Sequence, residues 1–335
     1  MILQKAVTPR SSALYEKSDH DRVAGYVMPA GAVHWAKTPA ELFRAHALGF
    51  EGSPFSPDMP YLDVLRFEST GNLLLEQAVG GPDRETQRRT GGPFLETPPF
   101  TGSGFVADPE NVIPVSWMPH RRLPAGTEMY RIAADGSSTY RAYYRSAAQG
   151  WVFADDIEER RVRQPRGLSR FVGGLARVDG QVEVADLVDG GARAVLARKG
   201  ERPADERWTP TTPTVWSRTV DVAEVDEYFE IDARLSHDGV EFRVVDQQPE
   251  DRGGGLVVTY AGHDAELATS RGFIRTEHGV REHVLPAELL PQAVVRQTQL
   301  PGWPGAPAAA PAAGRRAGHA SDAPKSSWWS RLRRS

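Results

Sequence analysis

The sequence contains no cysteine among its 335 residues. Disulfide scaffolds, thiol nucleophiles, thiolate zinc sites and iron–sulfur clusters all need cysteine, so the composition excludes these four classes. No stretch approaches the roughly 18–20 apolar residues that a membrane-spanning helix requires. The first residues, MILQKAVTPRSS, lack the apolar core of a secretory signal. We therefore expect a soluble protein that is cytoplasmic, or exported without a cleaved signal peptide.

Common catalytic and ligand-binding motifs are missing as well. There is no GxxxxGK[ST] loop, and Gly253-Gly254-Gly255 precedes a predicted strand rather than a helix. No HExxH motif occurs, so His278 and His283 are interpreted as surface side chains and no metal site is predicted. Thr101-Gly102-Ser103-Gly104 matches only part of the serine-hydrolase turn GxSxG. It is interpreted as a backbone turn.

Acidic and basic residues are distributed unevenly along the chain. The full sequence has 40 Lys and Arg residues, 44 Asp and Glu residues and a formal net charge of −4. Residues 301–335 contain six basic residues and one acidic residue, so they carry +5 and the rest of the chain carries −9. Nucleic-acid binding needs clustered cations that contact phosphates. The acidic body therefore argues against a nucleic-acid partner.

The C-terminal tail, residues 299–335, is expected to be disordered. It opens with a stretch rich in Pro, Ala and Gly, which cannot bury enough apolar surface to offset the entropy of the chain. Its end combines indole rings with basic side chains: Trp328, Trp329, Arg331, Arg333 and Arg334. Such a segment suits docking onto another protein or weak contact with an anionic membrane. The alternative is a solvated tail whose tryptophans have no role.

The best-marked helix spans residues 39–48. Thr38 and Glu41 match a capping box around Pro39 at the first helical position, and Gly49 is placed to end the helix. A second short helix is expected near residues 264–271. Long helices alternating with strands are absent from the pattern, so a doubly wound nucleotide-binding fold is not expected.

Short runs of apolar, β-branched and aromatic residues predict many strands. In the first half they cover 61–67, 73–79, 104–107, 112–117, 128–133, 139–145 and 151–153. In the second half they cover 175–178, 182–187, 192–197, 215–220, 228–235, 240–245, 256–260 and 280–285. Asp-Gly pairs at 135–136, 179–180 and 238–239 indicate tight hairpins. Residues 80–99 and 201–214 show no hydrophobic period and are predicted to be exposed loops.

These patterns predict a mainly β (α+β) protein with two antiparallel β-rich domains and few short helices. The expected boundaries are 1–160 for the N-terminal domain, 165–298 for the C-terminal domain and 299–335 for the tail. Five tryptophans, Trp35, Trp117, Trp151, Trp208 and Trp216, lie in these domains. They would serve as interface anchors or, as we favour for each one singly, as ordinary core side chains.

Three segments of the first half follow one another in a suggestive order. Leu65-Arg66-Phe67 is a predicted strand, Phe100–Phe105 contains Ser103, and Leu123–Thr127 precedes another strand. This order resembles that of ADP-ribosyltransferase toxins of the arginine–serine–glutamate type. The resemblance implies that Arg66 and Ser103 hold NAD on its nicotinamide side, with a glutamate that polarises the ribose.

One element of that family pattern is missing. The stretch that would carry the glutamate, Ser116–Arg122, contains no acidic residue. Glu110 or Glu128 would have to take its place. If the relationship holds, the departure implies an inactive or altered site, and NAD is the cofactor that this alternative requires.

Our leading hypothesis is a non-catalytic protein–protein interaction or binding protein that uses no cofactor. Its partner would be another protein, such as a secreted bacterial effector that it accompanies or neutralises. The content of Arg, Ala, Gly and Pro is compatible with a high-GC bacterial source. The alternative is an NAD-consuming, ADP-ribosyltransferase-like enzyme in the N-terminal domain, active or degenerate. NAD turnover would distinguish the two hypotheses.

Overall fold

A computed structural model describes residues 1–17, 20–70, 73–154, 167–212, 214–248 and 253–300 together with Trp303. Within these ranges the chain is rich in strands that pair almost entirely in antiparallel fashion. The predicted mainly β class is therefore confirmed. The docking segment proposed for the tail lies outside the described residues: Trp328, Trp329, Arg331, Arg333 and Arg334.

The first half of the chain builds an eight-stranded sheet. The strands of this half are β1 Ile2–Val7, β2 Arg22–Pro29, β3 Tyr61–Glu68, β4 Glu76–Gln77, β5 Gly80–Gly81, β6 Phe94–Leu95, β7 Ser116–Arg122, β8 Thr127–Ala133, β9 Ser138–Ser146 and β10 Gly150–Phe153. The order in the sheet is β10-β9-β8-β3-β1-β2-β7-β4, while β5 and β6 form a separate parallel pair. Three helices accompany these strands: α1 Pro9–Glu16, α2 Pro39–Ala45 and α3 Arg84–Thr90.

Both faces of this sheet are covered. Side chains alternate along a strand, so Val64 joins Leu42 of α2 in one buried cluster, while Leu65 joins Tyr15 of α1 and Trp151 in another. A strand buried on both faces reads as a nearly continuous apolar run. This explains why β3 was predictable from sequence.

Helix α2 begins as predicted and ends earlier. The Thr38 hydroxyl accepts a hydrogen bond from the Glu41 backbone N–H, and the Glu41 carboxylate accepts one from the Thr38 N–H, which completes the capping box. The helix stops at Ala45 because Ala47 adopts a left-handed conformation with φ of 51°. The Leu48 N–H then bonds to the Phe43 carbonyl and closes the helix before Gly49 is reached.

The second half builds one eleven-stranded sheet. Its strands are β11 Leu175–Val178, β12 Gln181–Val188, β13 Arg193–Lys199, β14 Thr209–Thr212, β15 Val215–Asp221, β16 Glu227–His237, β17 Val240–Gln247, β18 Leu256–Tyr260, β19 Ile274–Glu277, β20 Val280–Leu285 and β21 Val294–Gln299. The order is β14-β15-β13-β12-β11-β16-β17-β18-β20-β19, and β21 pairs with β16. Helix α4, Ala265–Ser270, confirms the second predicted helix.

The long strand β16 organises this sheet. Phe229 pairs with β11 and with β21, and Arg234 pairs with β17 and with β21. A strand residue has one neighbour on each edge, so β11 and β17 share one edge of β16 while β21 occupies the other. The main core cluster of the second half forms around Phe229, Ile231 and Leu235.

The last residues of β7 connect the two halves. The His120 Nε2 atom lies 2.9 Å from the Glu282 carboxylate, and Arg121 pairs with Glu230 at 3.1 Å. Arg122 follows directly and also contacts the second half. We call the contact of His120, Arg121 and Arg122 with the second half the junction. Because the halves share these contacts, the predicted boundaries of independent domains stay a prediction.

Arg122 is the most deeply buried charge at the junction, with a side chain 1% exposed. Its Nη2 atom donates to the Ser169 and Val172 carbonyl oxygens at 2.9 Å each, and Nη1 lies 3.5 Å from the Asp186 carboxylate. Nη1 also approaches the carbonyl oxygens of Gly174 and Ala185. Buried guanidinium groups persist only when they are paired and hydrogen-bonded in this way.

The predicted loop over residues 80–99 is wrong. It contains β5, α3 and β6, and Phe94 and Leu95 are each only 2% exposed. At Gly80 an added Cβ would lie 1.8 Å from the Phe94 carbonyl oxygen, so glycine permits the close approach. The sequence pattern indicated a loop because these two-residue strands lack a measurable period.

Several strand boundaries also differ from the prediction. The structure places strands at β1, β2, β14, β19 and β21, where none was predicted. Residues 104–107 form no strand and contribute one isolated bridge from Phe105 to Pro114. The strand predicted at 112–117 lies at 116–122, and only Glu76–Gln77 of 73–79 is extended in a ladder.

Candidate functional site

A cleft of about 820 Å³ opens on the first sheet, where β1, β3 and β8 lie side by side. Its rim includes the short helical turn at Ala30–Val33 and the residues that follow it. The lining combines charged, aromatic and small side chains: Ile2, Ala30, Gly31, His34, Lys37, Arg66, Phe67, Glu68, Ala125, Gly126, Glu128 and Tyr130. We refer to this site as the cleft.

Strand register brings two predicted site residues together in the cleft. Arg66 of β3 is the direct cross-strand partner of Glu128 of β8. Directly opposed residues have Cβ atoms roughly 4.5–5.5 Å apart and project from the same face. The arginine and one of the two stand-in acids suggested by the ADP-ribosyltransferase resemblance therefore share one wall.

The Arg66 guanidinium is held from two sides. Its Nε atom donates to the Gln4 side-chain oxygen at 2.9 Å, and its Cζ atom lies 4.7 Å from the centre of the Tyr130 ring. Among the described residues neither terminal nitrogen of Arg66 has an acceptor. The group is thus oriented by the protein while its outer end remains available to a ligand.

Tyr130 connects this cation to the acid. Its hydroxyl donates to Glu128 Oε2 at 2.9 Å. Burial, followed by the hydrogen bond and the charge of Glu128, raises the pKa of Tyr130. The phenol is therefore protonated at neutral pH and acts as a hydrogen-bond donor.

Lys37 and His34 add two further polar groups to the rim. The His34 Nδ1 atom lies 2.6 Å from the Gly31 carbonyl oxygen, so Nδ1 carries a proton and donates. The Lys37 ammonium forms no ion pair with any described residue, although the Lys37 backbone N–H donates to Glu41. Both side chains are exposed.

The other two residues suggested by the resemblance lie elsewhere. Ser103 forms an isolated bridge with Val79, and its hydroxyl contacts Thr101 and the Phe105 carbonyl in an exposed turn. Glu110 lies in a turn where its backbone N–H donates to Asp108. Neither lines the cleft. The structure thus joins Arg66 to Glu128 and leaves Ser103 and Glu110 outside.

Sequence reasoning missed Gln4, Lys37, His34 and Tyr130. Gln4 lies in β1, a strand that was not predicted, and is only 2% exposed. Tyr130 is two residues from Glu128 in a predicted strand, so period-two alternation would have placed both on one face. That alternation was the available signal, whereas nothing in the sequence brings Gln4 to Arg66.

Neither a metal cluster nor a membrane helix is found in the described part of the chain. Those residues contain no group of three or more His, Asp or Glu side chains that could hold a metal ion. None of the helices in the same ranges is both long and apolar enough to cross a membrane. Comparisons of the chain with protein-family models, curated proteins and solved structures found no match. The function of the cleft is therefore inferred from its own side chains.

Proposed function

We propose that this chain is a non-catalytic binding protein whose cleft holds a segment of another protein. The observation that carries the proposal is the pattern of charge in the cleft. Its cations, Lys37 and Arg66, form no ion pair with its carboxylates, Glu68 and Glu128, or with any other described residue. Separated charges of both signs favour a partner with the complementary pattern.

The chemistry of the cleft suits recognition better than catalysis. Arg66 donates hydrogen bonds only, and the raised pKa of Tyr130 keeps its hydroxyl from acting as a nucleophile at neutral pH. Ser103, the hydroxyl that the enzyme alternative requires, lies outside the cleft. The proposed partner is a protein, such as a secreted bacterial effector, and the binding needs no cofactor.

A peptide array would test this proposal. The purified full-length chain is incubated with immobilised peptides that carry acidic and basic residues several positions apart, and with peptides of a single charge sign. We expect mixed-charge peptides to bind the wild type and to lose about tenfold in affinity with Arg66→Ala. Arg193→Ala is the matched control, because Arg193 is half exposed and, in the described part of the chain, its ion pair is with the similarly exposed Asp189.

Two results would overturn the proposal. One is the absence of binding by every mixed-charge peptide. The other is equal binding by the wild type and Arg66→Ala. Binding that falls equally in Arg193→Ala would assign the effect to net charge instead of the cleft.

The tail is proposed as a second docking point, through Trp328, Trp329, Arg331, Arg333 and Arg334. A chain that ends at Trp303 keeps this described, buried side chain and removes the docking segment. We expect it to bind cleft peptides normally and to lose weak adhesion to vesicles that contain anionic lipid. Unchanged adhesion, or none with the full chain, would contradict a membrane role for the tail.

NAD-consuming transfer is the second candidate function, with NAD as cosubstrate. The cross-strand placement of Arg66 and Glu128 in one cleft favours it, whereas the positions of Ser103 and Glu110 oppose it. Incubation with NAD and detection of nicotinamide release tests it directly. Turnover that disappears in both Arg66→Ala and Glu128→Gln would establish this candidate and overturn the non-catalytic proposal.

A further inference from the structure

A row of three side chains crosses the sheet beneath the cleft. Arg66 pairs directly with Gln4 of β1 on one edge and with Glu128 of β8 on the other. Behind Gln4 lies His46, the C-cap residue of α2, and its imidazole Nε2 atom is 3.1 Å from the Gln4 side-chain nitrogen. Both Gln4 and His46 are buried, at 2% and 5% exposure.

The hydrogen-bonding capacity of Arg66 determines the orientation of the other two groups. A guanidinium only donates, so the side-chain oxygen of Gln4, which accepts, must face Arg66. The amide nitrogen of Gln4 then faces His46, and an amide nitrogen also only donates. The His46 Nε2 atom must therefore accept, which requires a neutral ring with its proton on Nδ1.

The surroundings of His46 favour that neutral ring. Burial, with a smaller effect from the nearby positive charge of Lys5, lowers the pKa of His46 to about 3. The ring is uncharged throughout the neutral range. A protonated ring, or the tautomer with its proton on Nε2, would leave two donors face to face inside the protein, which is costly.

We propose that His46, as its Nδ1–H tautomer, is a positioning residue that holds the Arg66 guanidinium through Gln4 and thereby presents its outer nitrogens to a carboxylate of the bound protein. The carboxylate part of this inference rests on the proposed function, whereas the tautomer does not. Carboxylate is the anion that an unmodified protein segment carries, and paired guanidinium N–H groups match its two oxygens. A ligand anion gains most when the cation is already oriented.

Nuclear magnetic resonance of the full-length chain would test the positioning. We expect the His46 Nε2 nitrogen at the chemical shift of an unprotonated imidazole nitrogen, and a slowly exchanging Nε–H proton on Arg66. Two variants with side chains of similar size distinguish the loss of the hydrogen-bond acceptor at position 46 from a change in side-chain volume. His46→Gln supplies a side-chain oxygen that accepts from Gln4 and should retain the protected Arg66 Nε–H, whereas His46→Leu should lose it.

Titration with acetate would test the ligand class. We expect acetate to shift the Arg66 Nε–H signal of the wild type and of His46→Gln, with about three- to tenfold weaker binding in His46→Leu. Arg66→Ala is the control for the signal assignment, because the Arg66 Nε–H signal must be absent from its spectrum. Equimolar chloride at constant ionic strength distinguishes carboxylate recognition from screening.

The outcomes separate the two claims. A proton on His46 Nε2, or a protected Arg66 Nε–H in His46→Leu, would overturn the positioning role and leave the binding proposal standing. A correct tautomer with no response to acetate would overturn the carboxylate site. If mixed-charge peptides also failed to bind, both the carboxylate site and the proposed function would be overturned.

Discussion

Arg66 and Arg122 lie on strands of the same sheet, yet the protein uses them in opposite ways. Arg122 is 1% exposed and donates to backbone carbonyl oxygens of the second half. Arg66 is only partly buried, and among the described residues it has a single hydrogen bond, from Nε to Gln4. At the junction both terminal nitrogens of Arg122 have protein acceptors, whereas in the cleft those of Arg66 have none among the described residues. The difference distinguishes a charge that stabilises the fold from a charge that is available to bind a ligand.

Replacement of Arg122 should give the largest effect. Arg122→Met keeps an unbranched side chain but removes the positive charge beside Asp186 and the donor to the Ser169 and Val172 carbonyl oxygens. Loss of one member of a buried charged pair costs about 3–5 kcal/mol in the free energy of unfolding. Urea denaturation measures it. Arg193→Ala should change stability by less than about 0.5 kcal/mol, and an equally stable Arg122→Met would contradict the comparison.

Acid should destabilise both halves of the chain through buried neutral histidines. Burial lowers the pKa of His46, beneath the cleft, to about 3. His278, in the second half, is buried and not the surface side chain that the sequence predicted, and burial lowers its pKa to about 4. Burial also lowers the pKa of His20 to about 3. The unfolded chain binds these three protons below about pH 6.5, so stability falls as the pH drops toward about 4. Asp21 contributes to the pH dependence of stability with the opposite sign. Burial raises its pKa to about 6, so the proton that it binds in the folded chain, and the stability that comes with it, are lost as the pH rises through that value.

Together, these four groups should make the unfolded chain bind about two more protons than the folded chain near pH 5. The free energy of unfolding should then fall by about 2–3 kcal/mol per pH unit. Urea midpoints at pH 7, 6 and 5 measure this slope. His46→Gln should reduce it by about 1.4 kcal/mol per pH unit, whereas Arg193→Ala should not. A stability that stays flat from pH 7 to pH 5 would show that the histidines are not buried as described.

Two glycines sharpen the contrast between the regions. At Gly174, in the segment that wraps Arg122, an added Cβ would lie 2.0 Å from the Tyr228 hydroxyl and 2.7 Å from the Ala185 carbonyl oxygen. Gly174→Ala should therefore cost about 1–3 kcal/mol, because tightly packed surroundings must shift. At Gly31, in the cleft, a Cβ would meet nothing within 4 Å. Gly31→Ala should be neutral in thermal denaturation, and equal losses in the two variants would remove the contrast.

The fold was predictable where apolar pattern and capping chemistry are local. Helix α2 follows from Thr38 and Glu41, and β3 follows from its apolar run. Strand β1 was missed because Gln4 and Lys5 look like surface residues. They are buried because Arg66 bonds to Gln4 and Glu277 pairs with Lys5, and both partners lie far away in sequence. Such long-range pairs leave no local pattern.

The candidate site was predictable in part for the same reason. The family resemblance selected Arg66 and Glu128 among others, but only the register of β3 and β8 brings them together. His120, Arg121 and Arg122 were interpreted as part of the segment that lacked a catalytic glutamate. They form the end of β7, and their charges are directed into the second half. Three adjacent polar residues carry no sequence signal of burial when their partners come from another sheet.

At Arg66, in the cleft, we expect a smaller loss of stability than at Arg122. Arg66→Ala removes one partly exposed cation and leaves the buried Gln4 oxygen without its donor, so the free energy of unfolding should fall by about 1–2 kcal/mol. Affinity for mixed-charge peptides should nevertheless fall about tenfold. Urea denaturation and peptide titration of the same preparation measure the two quantities together. A large loss of stability without loss of binding would make Arg66 a structural residue like Arg122, because its charge would then serve the fold instead of a ligand.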